Sequence, residues 1–503
     1  MLRRLVQNTM ISAVAFGIAG VLGLIAVAVI ARSYGFAALG MIVLVRNLLP
    51  TGFLALIDFG VADTTTQSVA RARGGGNWVA AGERVTLLLI GSVVIGIASA
   101  ILLWSAAFWL AQLFRVADDQ QAAFIGMTRA TAAVLLVAFP GLIAEGLLKG
   151  FERYGWLRLV EIAGSFSYVA AVLLIAAWQM PYQWIAYAFL IVTAVRCILL
   201  GLVASRLARG SPLRLQKWGE ESRADVALRS GLMFNNRVVG ILQQQLPPMA
   251  IGALLGAGPV GIYDILTRLP RFLKSTLGLI SSAILPTSAR IDETSDTVRQ
   301  HMLGRGGFVL PAAMALPALG VVAMFSKDIL SLWVGPTFAA YWPWLALMMV
   351  VPAVGVLIGP GQVALYVRSD FMRLTTRLLM LQAVLQYLLT FAFFAWFSER
   401  AFIIGQAVSM TVFAPILANN MLKTWGLPPS LFWSQVGRHA VVLLAVAGWA
   451  AVIQAAFAPF NLLGLGAVMA GCCVLAWLGC YLVVLGGQDR AVLKRAIEVA
   501  GKG

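Results

Sequence analysis

The chain has 503 residues, of which 61% are apolar and 11% are charged, and 37 Lys and Arg against 20 Asp and Glu give a formal charge of +17. A soluble domain is about 45–50% apolar and about 25% charged, so the composition excludes an ordinary soluble protein. The scarcity of charge excludes a disordered chain, and four cysteines exclude a disulfide-rich scaffold. Long apolar runs also leave little room for the basic soluble face of a nucleic-acid binder. We therefore expect an all-α, polytopic membrane protein.

Fourteen apolar stretches are candidate transmembrane helices, because a helix needs about 20 mainly apolar residues to cross the hydrocarbon core. They lie at residues 8–31, 36–62, 85–110, 121–148, 160–178, 184–204, 231–256, 260–286, 303–325, 342–366, 377–397, 401–422, 438–457 and 462–486. With the N-terminus inside, the inward segments hold 26 Lys and Arg and the outward loops hold 4. Short basic loops stay in the cytoplasm. The bias predicts an even number of spans, with both termini on the cytoplasmic side of the bacterial inner membrane.

One long polar stretch divides the spans into groups of six and eight. The predicted domains are an N-terminal six-helix lobe at 1–204, a cytoplasmic linker at 205–230, a C-terminal six-helix lobe at 231–425, transmembrane helices 13 and 14 at 426–486, and an amphipathic cytoplasmic tail at 487–503. Because six is even, a duplicated six-span unit would re-enter the membrane from the same side. The two lobes are therefore expected to be parallel repeats.

Traces of such a duplication lie at the start of each half. Gly35 and Gly40 recur as Gly256 and Gly261, each 221 residues later, and Arg46 has a counterpart 222 residues later in Arg268. The surrounding residues resemble Wzx-type polysaccharide flippases of the multidrug/oligosaccharidyl-lipid/polysaccharide exporter superfamily. The resemblance is carried by Ile30-Ala31-Arg32-Ser33-Tyr34-Gly35, Gly40, Asp58-Phe59-Gly60 and Ala70-Arg71, then by Gly256, Gly261-Ile262-Tyr263, Pro286 and Ala289-Arg290.

The resemblance implies a V-shaped pair of helix bundles that rock around a central cavity. It also implies that the cargo is an undecaprenyl-pyrophosphate-linked glycan, carried outward for O-antigen or exopolysaccharide assembly. The two additional C-terminal spans match the fourteen-span branch, which includes polysaccharide transporters and the lipid II flippase.

Seven of the 37 cations fall inside predicted spans, where each is disfavoured by about 2.5–3.5 kcal/mol on insertion scales unless it meets water or a counter-charge. Arg46 is expected near mid-membrane, either as a cavity cation or in an ion pair within the first bundle. In span 8, Asp264 and Arg268 are four residues apart and can partly neutralise each other. Arg268, Arg271 and Lys274 step by three along one face, as an anion-binding stripe or a solvated seam between helices.

Span 7 adds Arg237 near its inner end and three consecutive glutamines centred on Gln244, which either face cargo or join helices by hydrogen bonds. Arginine offers a fixed fork of donors to phosphate oxygens and stays charged, which suits a pyrophosphate head. The predicted substrate-binding residues are Arg46, Arg237, Gln244, Asp264, Arg268, Arg271 and Lys274.

No catalytic or metal-binding motif stands out, so the sequence predicts neither an enzyme nor a cofactor, and a proton or sodium gradient is left open as the driving force. The expected partners are the lipid-linked glycan, membrane lipids and a polysaccharide polymerase machinery, without nucleic acid. Three alternatives remain: a lipid II flippase, a cation-coupled drug exporter and a membrane glycan polymerase. A drug exporter would need cavity acids for cationic cargo, and a polymerase would need catalysts on a larger outer domain.

Overall fold

The computed structural model describes residues 2–58, 60–219, 226, 238–293, 297–365, 368–457, 460–487 and 489–490, and every regular element among them is a helix. The first nine helices are α1 Leu2–Asn47, α2 Val61–Gly75, α3 Trp78–Leu113, α4 Asp118–Gly150, α5 Tyr154–Ala177, α6 Gln183–Arg209, α7 Val238–Gln244, α8 Leu246–Leu255 and α9 Ala257–Glu293. The remaining eight are α10 Thr297–Met324, α11 Ser326–Trp333, α12 Trp342–Met348, α13 Val350–Ala364, α14 Ser369–Phe397, α15 Arg400–Thr424, α16 Ser430–Phe457 and α17 Leu462–Gly479. Short 3₁₀ turns cover Phe53–Leu56 and Pro336–Tyr341, and a π-helical turn follows α17 at Cys480–Val484.

The protein is a multi-pass membrane protein, as predicted. Among the described residues, eleven helices are long and apolar enough to cross a membrane, or twelve if α7 and α8, which meet at 41°, form one bent span. The predicted spans 2 and 8 make up the difference from fourteen. Span 2 is interrupted, and span 8 coincides with α9, which carries four charged residues among its first eighteen. The exact number of fourteen spans stays a prediction.

The chain folds into two compact units, Met1–Ile265 and Leu266–Gly503, and their boundary falls inside α9. In the first unit α4 packs against α2, α3 and α6, and α1 packs against α5. In the second unit α14 packs against α15, α10 against α13, and α16 and α17 against α10. Each unit buries its own apolar cluster, while large side chains such as Trp109 and Leu463 stay exposed, as helices facing lipid require. The predicted domain limits remain predictions.

The repeated glycines have the same backbone conformation in both places. Gly35 interrupts α1 with φ 80° and ψ 179°, and Gly256 separates α8 from α9 with φ 87° and ψ −175°. This region of backbone space is essentially restricted to glycine. The second glycine of each pair permits a close crossing of α1 with the first turns of α9. A Cβ on Gly40 would overlap the carbonyl oxygen of Ala257, and one on Gly261 would overlap that of Phe36.

The interruption of predicted span 2 follows from its sequence. Proline lacks an N–H and disfavours a helical conformation for the preceding residue, so Pro50 ends α1 at Asn47. The turn closes with a hydrogen bond from the Gly52 N–H to the Leu49 carbonyl at 2.8 Å. Only glycine fits at position 52, because a Cβ would lie 2.5 Å from the Asn47 carbonyl oxygen. Arg46 therefore lies in the last turn of α1.

Side-chain hydrogen bonds join α17 and the residues after it to α10. Arg305 donates two hydrogen bonds to Asp489, from Nε at 2.9 Å and from Nη2 at 3.0 Å, in a forked ion pair. Trp477 of α17 donates from Nε1 to the Met314 carbonyl at 2.7 Å. These bonds link the C-terminal helices to α10 within the second unit. Most of the predicted tail at 487–503 lies outside the described residues.

Candidate substrate-binding residues

Four of the seven predicted site residues lie on α9. Asp264 is buried, with 2% of its surface exposed, and Arg268, Arg271 and Lys274 are half-buried. A rise of about 1.5 Å per residue separates successive cations of the stripe by about 4.5 Å along the helix axis. The helix continues through Pro270 without a break. Arg268, Arg271 and Lys274 therefore lie on one continuous helix, and their role in binding stays a prediction.

Arg271 and Lys274, the two later cations of this series, have different neighbours. Arg271 donates from Nη2 to the Thr267 hydroxyl at 2.8 Å and from Nε to the Thr267 carbonyl at 3.2 Å. The Lys274 stem runs beside α13, because a Cβ added to Gly355 would lie 3.9 Å from its Cγ and Cε. The bonds to Thr267 are to neutral oxygens, so they fix the guanidinium without neutralising it. The mutual neutralisation of Asp264 and Arg268 stays a prediction.

Arg46 packs against an aromatic ring of the same unit. Its guanidinium carbon lies 5.2 Å from the centroid of the Phe189 ring on α6. No carboxylate in the described part of the chain lies within ion-pair distance of Arg46. The cation–π contact and the negative end of the α1 dipole both stabilise a positive charge at this position. An ion pair within the first bundle, one of the two readings of this residue, is absent from the described residues.

Gln244 ends α7, at the bend into α8, and is half-buried. Pro247 and Pro248 lie in the first turn of α8, where their missing N–H groups cost no helical hydrogen bond but prevent α7 from continuing unchanged. The side-chain amide nitrogen of Gln243, the residue before Gln244, is buried and makes no hydrogen bond within the described residues. Arg237 lies outside the described residues, so its position stays a prediction.

Other cations within predicted spans have structural partners. On α4, Glu145 pairs with Lys149 at 2.8 Å and with Arg196 of α6 at 3.6 Å. Arg129 lies over the Trp104 ring, 5.3 Å from its centroid. These contacts give Glu145 an ion-pairing role and give Arg196 and Arg129 structural roles.

Two further acids near the predicted inner loops have local partners. Asp58 accepts a hydrogen bond from the Gly60 N–H at 2.8 Å and so caps the turn before α2. Glu161 pairs with Arg158 at 2.6 Å. Asp58 therefore has a capping role and Glu161 an ion-pairing role.

A buried polar stripe on α14 was not predicted. Thr375, Gln382, Gln386 and Thr390 are all buried, and neither amide atom of Gln386 makes a hydrogen bond within the described residues. α15 packs closely here, since a Cβ on Gly405 would overlap the Gln386 carbonyl and the Thr390 hydroxyl. The sequence signal was spacing: these polar residues recur after seven, four and four positions in an otherwise apolar helix.

The fold is that of known transporters. The structure of the lipid II flippase MurJ in an inward closed conformation matches with a TM-score of 0.71 and 11% identity, over 97% of this chain and 99% of that one. An inward-facing multidrug resistance MATE family transporter of the MOP superfamily matches with a TM-score of 0.62 and 14% identity, over 80% of this chain and 92% of that one. A MOP superfamily transporter from Pyrococcus furiosus, described as having a binding pocket of reverse polarity, matches with a TM-score of 0.52 and 15% identity. The match covers 82% of this chain and 93% of that one.

No curated protein matches the chain significantly by sequence. Residues 5–292, more than half of the chain, match the model of a family described as polysaccharide biosynthesis protein. This match agrees with the resemblance to polysaccharide flippases at the repeated glycine motifs. The chain belongs to the polysaccharide biosynthesis protein family.

Proposed function

We propose that the protein translocates an undecaprenyl-pyrophosphate-linked oligosaccharide from the inner to the outer leaflet of the cytoplasmic membrane. The glycan would serve O-antigen or exopolysaccharide assembly, and transport would use alternating access through a cationic central cavity. In this proposal the protein is a transporter and catalyses no covalent step. Membership of a polysaccharide biosynthesis family and the transporter fold support the class of protein and cargo.

The observation that carries the proposal is the series Arg268, Arg271 and Lys274 on α9, accompanied on that stretch by one acid, Asp264. A pyrophosphate and hydroxyl-rich sugars cannot enter hydrocarbon without replacing their hydration. Guanidinium groups supply paired donors to phosphate oxygens, and each such charge-assisted bond is about twice as strong as a neutral one. Cations spaced along a helix axis can pass the anion from one to the next while the lipid tail stays in the bilayer.

The other predicted residues have supporting roles in this scheme. Arg237 would receive the head at the cytoplasmic mouth, Gln244 would bind sugar hydroxyls, and Arg46 would offer a further cation. Moderate binding is essential, because a head held too tightly would not leave. A proton or sodium gradient would supply the driving force.

A second candidate is the flipping of lipid II, which is favoured by the match to MurJ over nearly the whole chain. Both cargoes are pyrophosphate-linked, so the cations of α9 suit either one. Cationic drugs fit these residues poorly, because like charges repel in a site of low dielectric. The charge of the α9 residues therefore favours a cargo with an anionic head over a cationic drug.

The experiment is a gene deletion followed by analysis of lipid-linked glycans in inverted and intact membranes. We expect an undecaprenyl-linked oligosaccharide to accumulate on the cytoplasmic leaflet, with normal viability. Accumulation of lipid II with cell lysis would instead establish the second candidate. No accumulation of any lipid-linked glycan would contradict both.

Complementation then tests the α9 series. Arg268→Ala should reduce glycan export at least tenfold, whereas Lys327→Ala, which removes an exposed cation from α11, should restore export fully. Arg268→Lys keeps the charge but loses the fork, so we expect intermediate export. Wild-type export by Arg268→Ala, at equal protein abundance in the membrane, would refute the role of this residue.

A further inference from the structure

A groove on the first unit has no role in the proposed transport path. It has a volume of about 650 Å³ and is lined by α3, α4, α6 and the segment 210–219 that follows α6. This volume lies within the range of about 300–1,000 Å³ that is usual for small-molecule sites. We call it the α4–α6 groove.

The α4–α6 groove has an apolar body and one basic end. Leu136, Pro140 and Ala144 of α4 and Ile198 of α6 belong to the body, and Cys197 adds a thiol that packs as a small apolar group. Its strongly polar lining residues are Ser205, Arg209 and Arg214, all at or beyond the last turns of α6. Such a groove suits an amphipathic ligand with an apolar chain and an anionic head.

The basic end is fixed in place. After α6, Leu213 is buried in the apolar cluster of the first unit, and the Gln216 N–H donates to the Thr86 hydroxyl at 3.1 Å. The segment lies so close to α3 that a Cβ on Gly82 would overlap the Arg214 carbonyl oxygen. The position of Arg214 is therefore set by packing.

Both arginines are available to an anion. Arg209 and Arg214 are exposed, and within the described residues neither forms an ion pair with a carboxylate. Arg214 donates from Nη1 to the carbonyls of Ser211 at 2.7 Å and Leu213 at 3.1 Å, which orient its guanidinium without neutralising it. The acid on the adjoining turn of α3, Glu83, accepts a hydrogen bond from the Gly219 N–H at 3.5 Å.

The length of the groove matches one leaflet. From Leu136 to Leu147, α4 lines it over eleven helical steps, or about 16 Å at 1.5 Å per residue. Half of a hydrocarbon core about 30 Å thick is about 15 Å. One phospholipid acyl chain therefore fits from the basic end to mid-membrane, whereas a much longer polyprenyl chain would extend beyond the groove. Basic pockets between transmembrane helices on the cytoplasmic side are typical sites for anionic lipid headgroups.

We propose that the α4–α6 groove binds an anionic phospholipid of the inner leaflet, with one acyl chain along α4 and α6 and its phosphate on Arg209 and Arg214. Such a lipid would fill the space between α4 and α6 and link them to the segment 210–219. The proposal does not depend on the identity of the transported glycan.

The test is native mass spectrometry of the delipidated full chain, titrated with phosphatidylglycerol and with zwitterionic phosphatidylethanolamine. We expect selective retention of phosphatidylglycerol. Arg209→Gln and Arg214→Gln should each weaken it about fivefold, since a basic residue near the headgroup contributes on the order of a fivefold factor. The matched control is Arg206→Gln, an exposed cation one turn earlier on α6 that does not line the groove.

A second pair of variants tests the chain site. A Cβ on Gly201 meets no atom within 4 Å and this residue lines the groove, so Gly201→Leu should fill the acyl site and reduce retention at least tenfold. Gly91→Leu, at an equally open position of α3 outside the groove, should retain the lipid. If Gly201→Leu does not fold, the two arginine variants carry the test alone.

Three results would overturn the proposal. One is equal retention of the two phospholipids, and another is wild-type retention by the combined Arg209→Gln/Arg214→Gln variant. The third is tighter retention of undecaprenyl phosphate than of phosphatidylglycerol by the wild-type protein, with both lost in Gly201→Leu, which would assign the groove to a polyprenyl chain.

Discussion

The two glycine pairs begin helices that share a backbone geometry but differ in charge. After Gly35, the chain carries a single cation, Arg46, before α1 ends at Asn47. After Gly256, α9 runs to Glu293 and carries an acid and three cations within its first eighteen residues. The shared part is a glycine-only backbone break followed by a close helix crossing. The comparison shows that the two segments share the joint between helices, while α9 carries additional charged residues that the end of α1 lacks.

A second contrast concerns the kinds of partner that cations have within the membrane helices. Arg196 faces Glu145 and Arg129 lies over Trp104, so each has a partner that accounts for it. The α9 cation Arg271 is held by neutral oxygens of Thr267. A carboxylate partner neutralises a cation, whereas a hydrogen bond to a neutral oxygen orients a guanidinium without adding a counter-charge. The presence of a cation in a membrane span is therefore weaker support for a binding site than the nature of its partners.

The crossing glycines should show the largest effect. Gly40→Ala and Gly261→Ala each place a methyl group on a backbone carbonyl oxygen of the other helix, so we expect a loss of about 4 kcal/mol or more in unfolding free energy. Unfolding in detergent micelles, with folded yield as a second readout, measures this loss. Gly23→Ala and Gly258→Ala, where a Cβ meets no atom within 4 Å, serve as controls. Equal stability of the two sets would mean that α1 and α9 do not cross this closely.

The break glycines should show a smaller effect of a different origin. A Cβ added at Gly35 meets no atom within 4 Å, and one added at Gly256 makes only ordinary contacts at 3.7 Å or more. Backbone strain therefore accounts for most of the expected loss of stability in Gly35→Ala and Gly256→Ala. At their φ and ψ we expect a loss of about 1–3 kcal/mol for each. The same unfolding assay checks this, and similar losses at both positions would support the repeat. A loss at one position alone would show that the two joints are not equivalent.

The stacking of Arg46 on Phe189 should show the smallest effect. A cation–π contact that is partly shielded from water contributes about 0.5–2 kcal/mol. A double-mutant cycle with Arg46→Met and Phe189→Leu should give a coupling energy of this size in the unfolding assay. The pair Arg129 and Trp104, in which both residues are exposed, should give a coupling near the lower limit. Zero coupling for Arg46 would remove the structural account of its position.

Much of the local structure could be predicted from the chain alone. Apolar length predicts helices such as α3 and α4, and a step of three residues predicts that Arg268, Arg271 and Lys274 occupy one side of α9. The spacing of Glu145 and Lys149 also predicts their ion pair, because residues four apart in a helix are neighbours. The mistaken reading of residues 36–62 as one span came from giving apolar length more weight than Pro50, which ends α1.

The sequence by itself determined the helices, their apolar surfaces and the places where glycine and proline interrupt them, because these depend on residues within a few turns of one another. Only the tertiary structure decided that Gly40 meets Ala257, that Glu145 reaches Arg196 and that Arg46 lies over Phe189. Such partners are far apart in the chain, and their contact depends on where helices cross. Crossing points are set by the fit of many side chains at once, which no local pattern encodes.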